Sequence, residues 1–493
     1  MIPPRIMATD PSQSLGTRTL RGMFWAYGSY VGGRVLVLVA TAILARILAP
    51  ADFGLVALGL VFIEVLSTLR DLGVTQALVV VPEEDVEERA NTVFTFSVLL
   101  GAILTLACVA LSPLAAAFFD APELIGLLSA LGATFLVRAL GSTHYALAQK
   151  RMDFRSRTAG EMADAVLRGV ASVAFALAGL GAWSLVLGYI VGSAALTVVL
   201  WALVPWRPRL QLRRDHLAPL VRFGGALTGV DIVSAANQNV DYVFVGRVLG
   251  AGQLGIYTLA FRLPDLLING LTLVASSVLF PAYATLSRSE LRSAYVRTIQ
   301  YTVMLTLPVA IGLAILAEPL ILATFGDKWK GAVAPMQVLV LYAFFPAITA
   351  PPGVIYKAIG RADILLKLAL LRVPILVAAI ALAVHSGIVA VALCQAGVAL
   401  LFFFVTTSIA TRMLDVGFGP LWTALWPPFA AGAGLAGVLL AVHGTVDSPV
   451  PTLLVGTLVG GLAYLGLLWI LVPDSLRQLR EGLLGSRAPA SAG

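Results

Sequence analysis

The chain has 493 residues, 59% of them hydrophobic and only 12% charged, with a mean hydropathy of +0.93 and a formal net charge of +7. A water-soluble fold of this size cannot hide so much apolar surface, so the solvent is lipid. The basic residues lie between apolar runs and not in one patch, which suits membrane topology and excludes a nucleic-acid partner.

Residues 1–22 are polar, with Arg18 and Arg21 at their end, and no small-residue cleavage site follows the first apolar run. They read as a cytoplasmic segment before a retained helix, not as a signal peptide. About fourteen apolar runs follow, each near the roughly 20 residues that a bilayer crossing needs. They lie near 23–45, 53–70, 92–112, 123–142, 161–180, 183–204, 220–245, 254–276, 298–322, 334–357, 364–384, 387–410, 421–442 and 451–472. The expected fold is all-α and integral to the membrane: two parallel six-helix bundles around a central cavity, plus two extra C-terminal helices. Residues 23–204 form the first bundle, 205–219 a basic cytoplasmic linker, 220–410 the second bundle, 411–472 the extra pair and 473–493 a cytoplasmic tail. The Pro-Pro-Gly at 351–353 reads as a kink or unwound point.

With both termini inside, roughly 23 of the 33 basic residues fall on the cytoplasmic side and about 4 outside. The outer ones are Arg46, Arg247, Lys328 and Lys330. One cytoplasmic loop, VPEEDVEERAN at 81–91, is acidic. It reads as a solvated loop, the alternative being a docking site for a basic partner or a gate-closing salt bridge.

The phrase ILARILAPADFGLVALGLVF at 43–62 returns as FVGRVLGAGQLGIYTLAFRL at 244–263. Arg46 falls on Arg247, Leu48 on Leu249, Gly54 on Gly255 and Leu58 on Leu259, an offset of 201. An even number of helices separates the copies, so the halves are parallel repeats about an axis along the membrane normal. The arginine and glycine of each copy are expected to shape an outer turn, the arginine snorkelling to the interface.

The stretch ILARILAPADFGLVALGLVFIEVLSTLRDLGVTQALV resembles the opening of bacterial polysaccharide exporters of the Wzx type, within the multidrug/oligosaccharidyl-lipid/polysaccharide exporter superfamily. NVDYVFVGRVLGAGQLGIYTLAFRL and SSVLFPAYATLSR are similar to the corresponding second-half segments. The resemblance is closest to the branch handling exopolysaccharide, colanic-acid-like and teichuronic-acid-like polymers. It covers most of the chain, is strongest at 25–80 and 220–290, and is weak after about 410. It implies a flippase that moves an undecaprenyl-pyrophosphate-linked oligosaccharide across the bacterial inner membrane, for exopolysaccharide or lipopolysaccharide assembly. A polysaccharide polymerase and export machinery would be its partners.

A charge at the bilayer centre costs at least ~2.5 kcal/mol, so it should face a cavity or a partner. Measured from the outer helix ends, Arg34 lies roughly 18 Å deep and Glu64 roughly 16 Å, on neighbouring helices. Asp241 and Arg262 lie roughly 9 and 12 Å deep. Asp265, Asn237 and Asn239 share the level of Arg34 and Glu64, while Arg222 and Asp231 sit lower. For the cargo that the resemblance implies, arginine's planar fork suits phosphate oxygens. Arg34 and Arg262 are therefore the expected phosphate ligands, in a cavity shared with Glu64, Asn237, Asp241 and Asp265. Arg70, Arg138 and Arg222 are steps near the cytoplasmic entrance. Glu64, Asp231 and Asp241 could carry a coupling ion. The alternative for Arg34 with Glu64, and for Asp241 with Arg262, is a structural ion pair. Asp164 and Arg168, four apart on one helix, read as a pair on one face, and Arg372 as near a helix end or facing a neighbouring helix, not as a cargo ligand.

Cys108 and Cys394 are far apart within apolar runs, and the four histidines are isolated, so neither a disulfide nor a metal site is indicated. No nucleophile–base set or phosphate-cradling glycine loop is visible, so no enzyme and no cofactor is expected. The alternative function is a cation-coupled multidrug antiporter of the same superfamily. An integral-membrane polymerase or ligase would need a large outer loop, and the outer loops here are short.

Overall fold

The computed structural model describes residues 36–70, 73–80, 86–270, 283, 286–361, 363–446 and 448–473. Arg34, Glu83, Glu84 and Asp85 of the acidic loop, and most of SSVLFPAYATLSR lie outside the described residues, as do the side chains of Arg222 and Asp231. The polar segment 1–22 and the tail from 474 also lie outside them.

The described chain is helical throughout its regular elements. In order these are α1 (Leu36–Ile47), α2 (Pro50–Ser67), α3 (Val74–Val80), α4 (Val86–Phe119), α5 (Leu124–Lys150), α6 (Phe154–Leu177), α7 (Ala182–Leu203) and α8 (Arg214–Pro264). A π-helical turn, Asp265–Asn269, continues α8. Then come α9 (Arg288–Ile315), α10 (Ala317–Thr324), α11 (Val333–Ala358), α12 (Asp363–Ala383), α13 (Ile388–Leu414), α14 (Phe418–Thr445) and α15 (Pro449–Leu471). Eleven helices of the described residues are long and apolar enough to cross a membrane. The protein is a multi-pass membrane protein.

Three differences from the fourteen expected runs have physical causes. The first run is described only from Leu36, as α1. The fifth, α6, carries Arg155, Arg157, Glu161, Asp164 and Arg168, too many charges for composition alone to mark it as a span. The seventh and eighth form one continuous element, broken at Gly250 with φ 81° and ψ 172°, a conformation that glycine alone adopts without strain. Pro264 then removes a helical N–H donor, and the ladder widens into the π turn directly after it. The Pro-Pro-Gly at 351–353 does not unwind its helix: α11 runs unbroken through Pro346, Pro351 and Pro352.

The chain divides into two compact units. The first holds residues 1–44, 69–110 and 129–228. One of its cores gathers Val74, Leu78, Val93, Phe94, Leu147 and Leu200 under Trp206. His144 stacks on Trp201 there, with ring centroids 4.7 Å apart. The second unit holds residues 45–68, 111–128 and 229–493. A core of Met304, Leu316, Leu435, Leu439 and Tyr464 ties α9, α14 and α15 together within it.

The repeated phrase packs against its own copy inside the second unit. A Cβ at Gly54 would overlap the backbone carbonyl of Ala251, and one at Gly255 would overlap that of Pro50. Pro50 and Ala251 are themselves equivalent at the offset of 201, so the contact is reciprocal, as about a pseudo-twofold axis. Glycine is required at both positions because the two backbones meet where a side chain would stand.

The arginines of the two copies differ in partner. Arg46 does not simply snorkel: its guanidinium donates to the carbonyls of Ala323 and Thr324, which end α10. A cation there satisfies orphan carbonyls and meets the negative end of the helix dipole. In return Lys328 donates to the carbonyls of Arg46 and Leu48, at 3.0 and 2.6 Å, and the Trp329 indole donates to that of Ala45 at 2.8 Å. Arg247 instead lies over the Phe118 ring, 5.6 Å from its centroid.

Gly255→Val should therefore cost about 1–3 kcal/mol of stability through overpacking. Gly252→Ala, where an added Cβ meets nothing within 4 Å, should stay within about 0.5 kcal/mol of the parent. Unfolding midpoints in detergent check the pair.

Candidate functional site

Within the second unit, α2, α8, the π turn and α11 enclose a cavity of about 290 Å³. Glu64 enters from α2; Gln238, Asn239 and Tyr242 come from the first part of α8, and Thr258, Phe261 and Arg262 from its second part. Asp265 and Asn269 come from the π turn and Tyr342 from α11. The break at Gly250 is what lets both parts of one element reach the same space, and the π turn places Asp265 beside Asn269, whose amide donates to it at 2.9 Å. Ala57, Leu60 and Val61 complete an apolar side.

Of the residues expected to line a cavity, Arg262, Glu64 and Asp265 stand on this one, joined by Asn239, which was expected only at the level of Glu64. Arg262 is exposed, and neither it nor Glu64 is ion-paired to a described residue. Asp241 stands off the lining: it is fully buried and accepts a 2.8 Å hydrogen bond from the Tyr257 hydroxyl, not a pairing from Arg262. Gln395 stands beside it. Asn237 also lies off the lining, its side-chain oxygen buried. The lining adds Gln238, Thr258 and Asn269, which can hydrogen-bond sugar hydroxyls, and Tyr242, Phe261 and Tyr342, which offer ring faces. Single uncharged residues in an apolar run gave no signal in the sequence by which to choose them.

The first unit holds a separate charge cluster. Arg138 on α5 donates to Ser193 on α7 at 2.9 Å and to Asp164 on α6 at 3.3 Å. Asp164 is also gripped by Arg168, one turn further along α6, at 2.5 Å. Arg168 lies over the Tyr189 ring, 4.1 Å from its centroid. Gly192 leaves the space, since a Cβ there would strike the Asp164 carboxylate. Arg70 is close enough to Arg138 to repel it. The cluster thus unites two entrance arginines with the α6 pair, and its side chains keep 16–31% of their exposure. No group of three or more histidine, cysteine or carboxylate side chains that could hold a metal occurs among the described residues.

Residues 43–334 match the family model described as "Polysaccharide biosynthesis protein". The lipopolysaccharide biosynthesis protein WzxC of Escherichia coli K12 is 30% identical over 359 residues, covering 72% of this chain and 73% of that protein. The succinoglycan biosynthesis transport protein ExoT of Rhizobium meliloti is 29% identical, covering 74% of each. Among solved structures, the lipid II flippase MurJ in an inward closed conformation superposes with a TM-score of 0.75 at 14% identity, covering 91% of this chain and 98% of that one. An inward-facing multidrug resistance transporter of the MATE family gives 0.64 at 17% identity, covering 78% and 96%. At such identities these two show the fold alone.

Removing Asp164 should strand two guanidiniums among helices. Because the cluster is partly exposed, Asp164→Asn should cost about 2 kcal/mol, less than a fully buried pair. Glu161→Gln, which loosens a pair with Arg157 whose acid is 53% exposed, should change stability by under about 0.5 kcal/mol. Denaturation midpoints of the two variants, compared side by side, test the ranking.

Proposed function

This chain belongs to the polysaccharide biosynthesis protein family, and we propose that it is a flippase for an undecaprenyl-pyrophosphate-linked oligosaccharide in the bacterial inner membrane. On this reading it is a transporter and not an enzyme, needs no cofactor, and hands its cargo to polymerase and export machinery for exopolysaccharide or lipopolysaccharide assembly. Its spans number about fourteen, in two six-helix bundles and an extra pair, with both termini cytoplasmic. The polyprenyl tail stays in lipid while the head group crosses by alternating access.

The observation that carries the reading is the cavity. Arg262 stands on its wall with no described carboxylate paired to it, among amides and aromatic rings. A guanidinium supplies two parallel donors to a phosphate. The amides and the faces of Phe261, Tyr242 and Tyr342 suit hydroxyls and apolar faces of a sugar. Glu64 and Asp265 share the wall without pairing to the arginine. The reciprocal contact of the repeated phrase keeps the outer ends of α2 and α8 together in this state. Arg34, outside the described residues, stays a candidate phosphate ligand on the strength of the sequence, and Arg70, Arg138 and Arg222 stay candidate steps near the cytoplasmic entrance. Glu64, Asp231 and Asp241 remain the candidates for ion coupling, with Asn237 supporting the same layer.

A second reading has one observation in its favour. The wall carries two carboxylates, Glu64 and Asp265, against one arginine, a balance that also admits a cationic amphiphile and a cation-coupled multidrug antiporter.

Arg262→Ala should lower polymer export about tenfold or more, the equivalent of losing one charge-assisted bond, at unchanged abundance in the membrane. Export measured in a strain that depends on this protein decides it. Undiminished export together with new sensitivity to cationic dyes would favour the antiporter.

A further inference from the structure

A second arginine lies behind the cavity wall. Arg372 is the tenth residue of the 21 in α12, about 14 Å along the helix and so near mid-span. Its guanidinium lies 5.9 Å from the ring centre of Tyr342 on α11 and 6.0 Å from that of Phe402 on α13. Nε and Nη2 are buried and without a hydrogen-bond partner, and no described carboxylate pairs with it. The polar group that faces it is the Tyr342 hydroxyl. Two ring faces return only part of what burial of this cation costs. A charge kept there without a described acid beside it is only partly compensated.

Tyr342 joins Arg372 to the cavity. The same side chain lines the cavity and packs on Phe261 at a centroid distance of 5.3 Å, beside Arg262. One aromatic side chain therefore separates the unpaired guanidinium from the space that holds the other. Arg372, which is not on the lining, reaches the cavity only if Tyr342 rotates about its side-chain bonds.

We propose that Arg372 is a second anion-binding arginine of this cavity, engaged when Tyr342 turns aside, and that with Arg262 it grips the two phosphates of a lipid-linked diphosphate. The proposal rests on the flippase reading. It also removes the ambiguity of the wall: two guanidiniums then face Glu64 and Asp265, and an entering dianion meets two fixed cations. A monophosphate fills only one of them, so Arg372 confers preference for the diphosphate.

The test uses the full-length protein in lipid nanodiscs, with undecaprenyl diphosphate and undecaprenyl monophosphate as probes and the thermal midpoint as a second readout. Arg372→Gln should weaken diphosphate binding about tenfold and monophosphate binding by less than about threefold. Arg372→Lys, which keeps the charge, should recover part of the loss. The midpoint of Arg372→Gln should not fall, because an uncompensated charge has been removed. Unchanged diphosphate binding in Arg372→Gln, with Arg262→Ala weakened, would overturn the role of Arg372 and leave the flippase reading standing. A parallel loss of both ligands with a lowered midpoint would mark a structural arginine and also overturn it. Absence of diphosphate binding by the parent protein would overturn the flippase reading, and this proposal with it.

Discussion

The governing constraint is that lipid offers no hydrogen bonds. Each charge within the spans, and each unsatisfied carbonyl at a helix end, must find its partner in the protein or in the cargo. Helix α6 meets this by clustering: Asp164 sits between Arg138 and Arg168, and Gly192 opens the space. The repeated phrase meets it with side chains that cap helix ends, Arg46 closing α10 while Lys328 and Trp329 close α1. Where no described carboxylate pairs with the cation, at Arg262 and Arg372, the same constraint points to an external anion.

Duplication explains how the cavity is built. The two copies of one phrase meet through Gly54 and Gly255, backbone against backbone, which brings α2 alongside α8. Glu64 and Arg262 follow those glycines on the same elements, ten and seven residues on respectively, and so face one space. The break at Gly250 and the π turn after Pro264 are local departures from helix that aim Arg262, Asp265 and Asn269 inward. Regular helices alone would not deliver that set.

The membrane class and the helical fold were legible because hydropathy survives in the linear chain, and the repeated phrase, whose copies touch, because its offset of 201 does. Depth along a helix, read from the chain, set Glu64, Asp265 and Asn239 at one level and Asp241 and Arg262 nearer the outer face, and four of these five line one cavity. Direction around the helix was not legible: Asp241 turns away into a buried bond with Tyr257. Periodicity is weak when lipid-facing and protein-facing sides are both apolar, so a mean over the helix hides which face is which. The aromatic wall and Gln238 were missed for that reason. Arg372 reads from the chain as near a helix end or facing a neighbour, because a lone arginine gives no spacing pattern. Its significance comes from the lack of a described acid paired with it, which only three dimensions reveal.

The central claim is that this cavity carries a lipid-linked diphosphate sugar and not a cation. The most direct measurement is translocation by the purified protein in liposomes, with a fluorescent undecaprenyl-diphosphate oligosaccharide followed by its accessibility to an external glycosidase. The account predicts movement between leaflets well above that of protein-free liposomes, suppressed by Arg262→Ala. Movement equal to that of protein-free liposomes, in a protein that transports a cationic dye under a proton or sodium gradient, would contradict it.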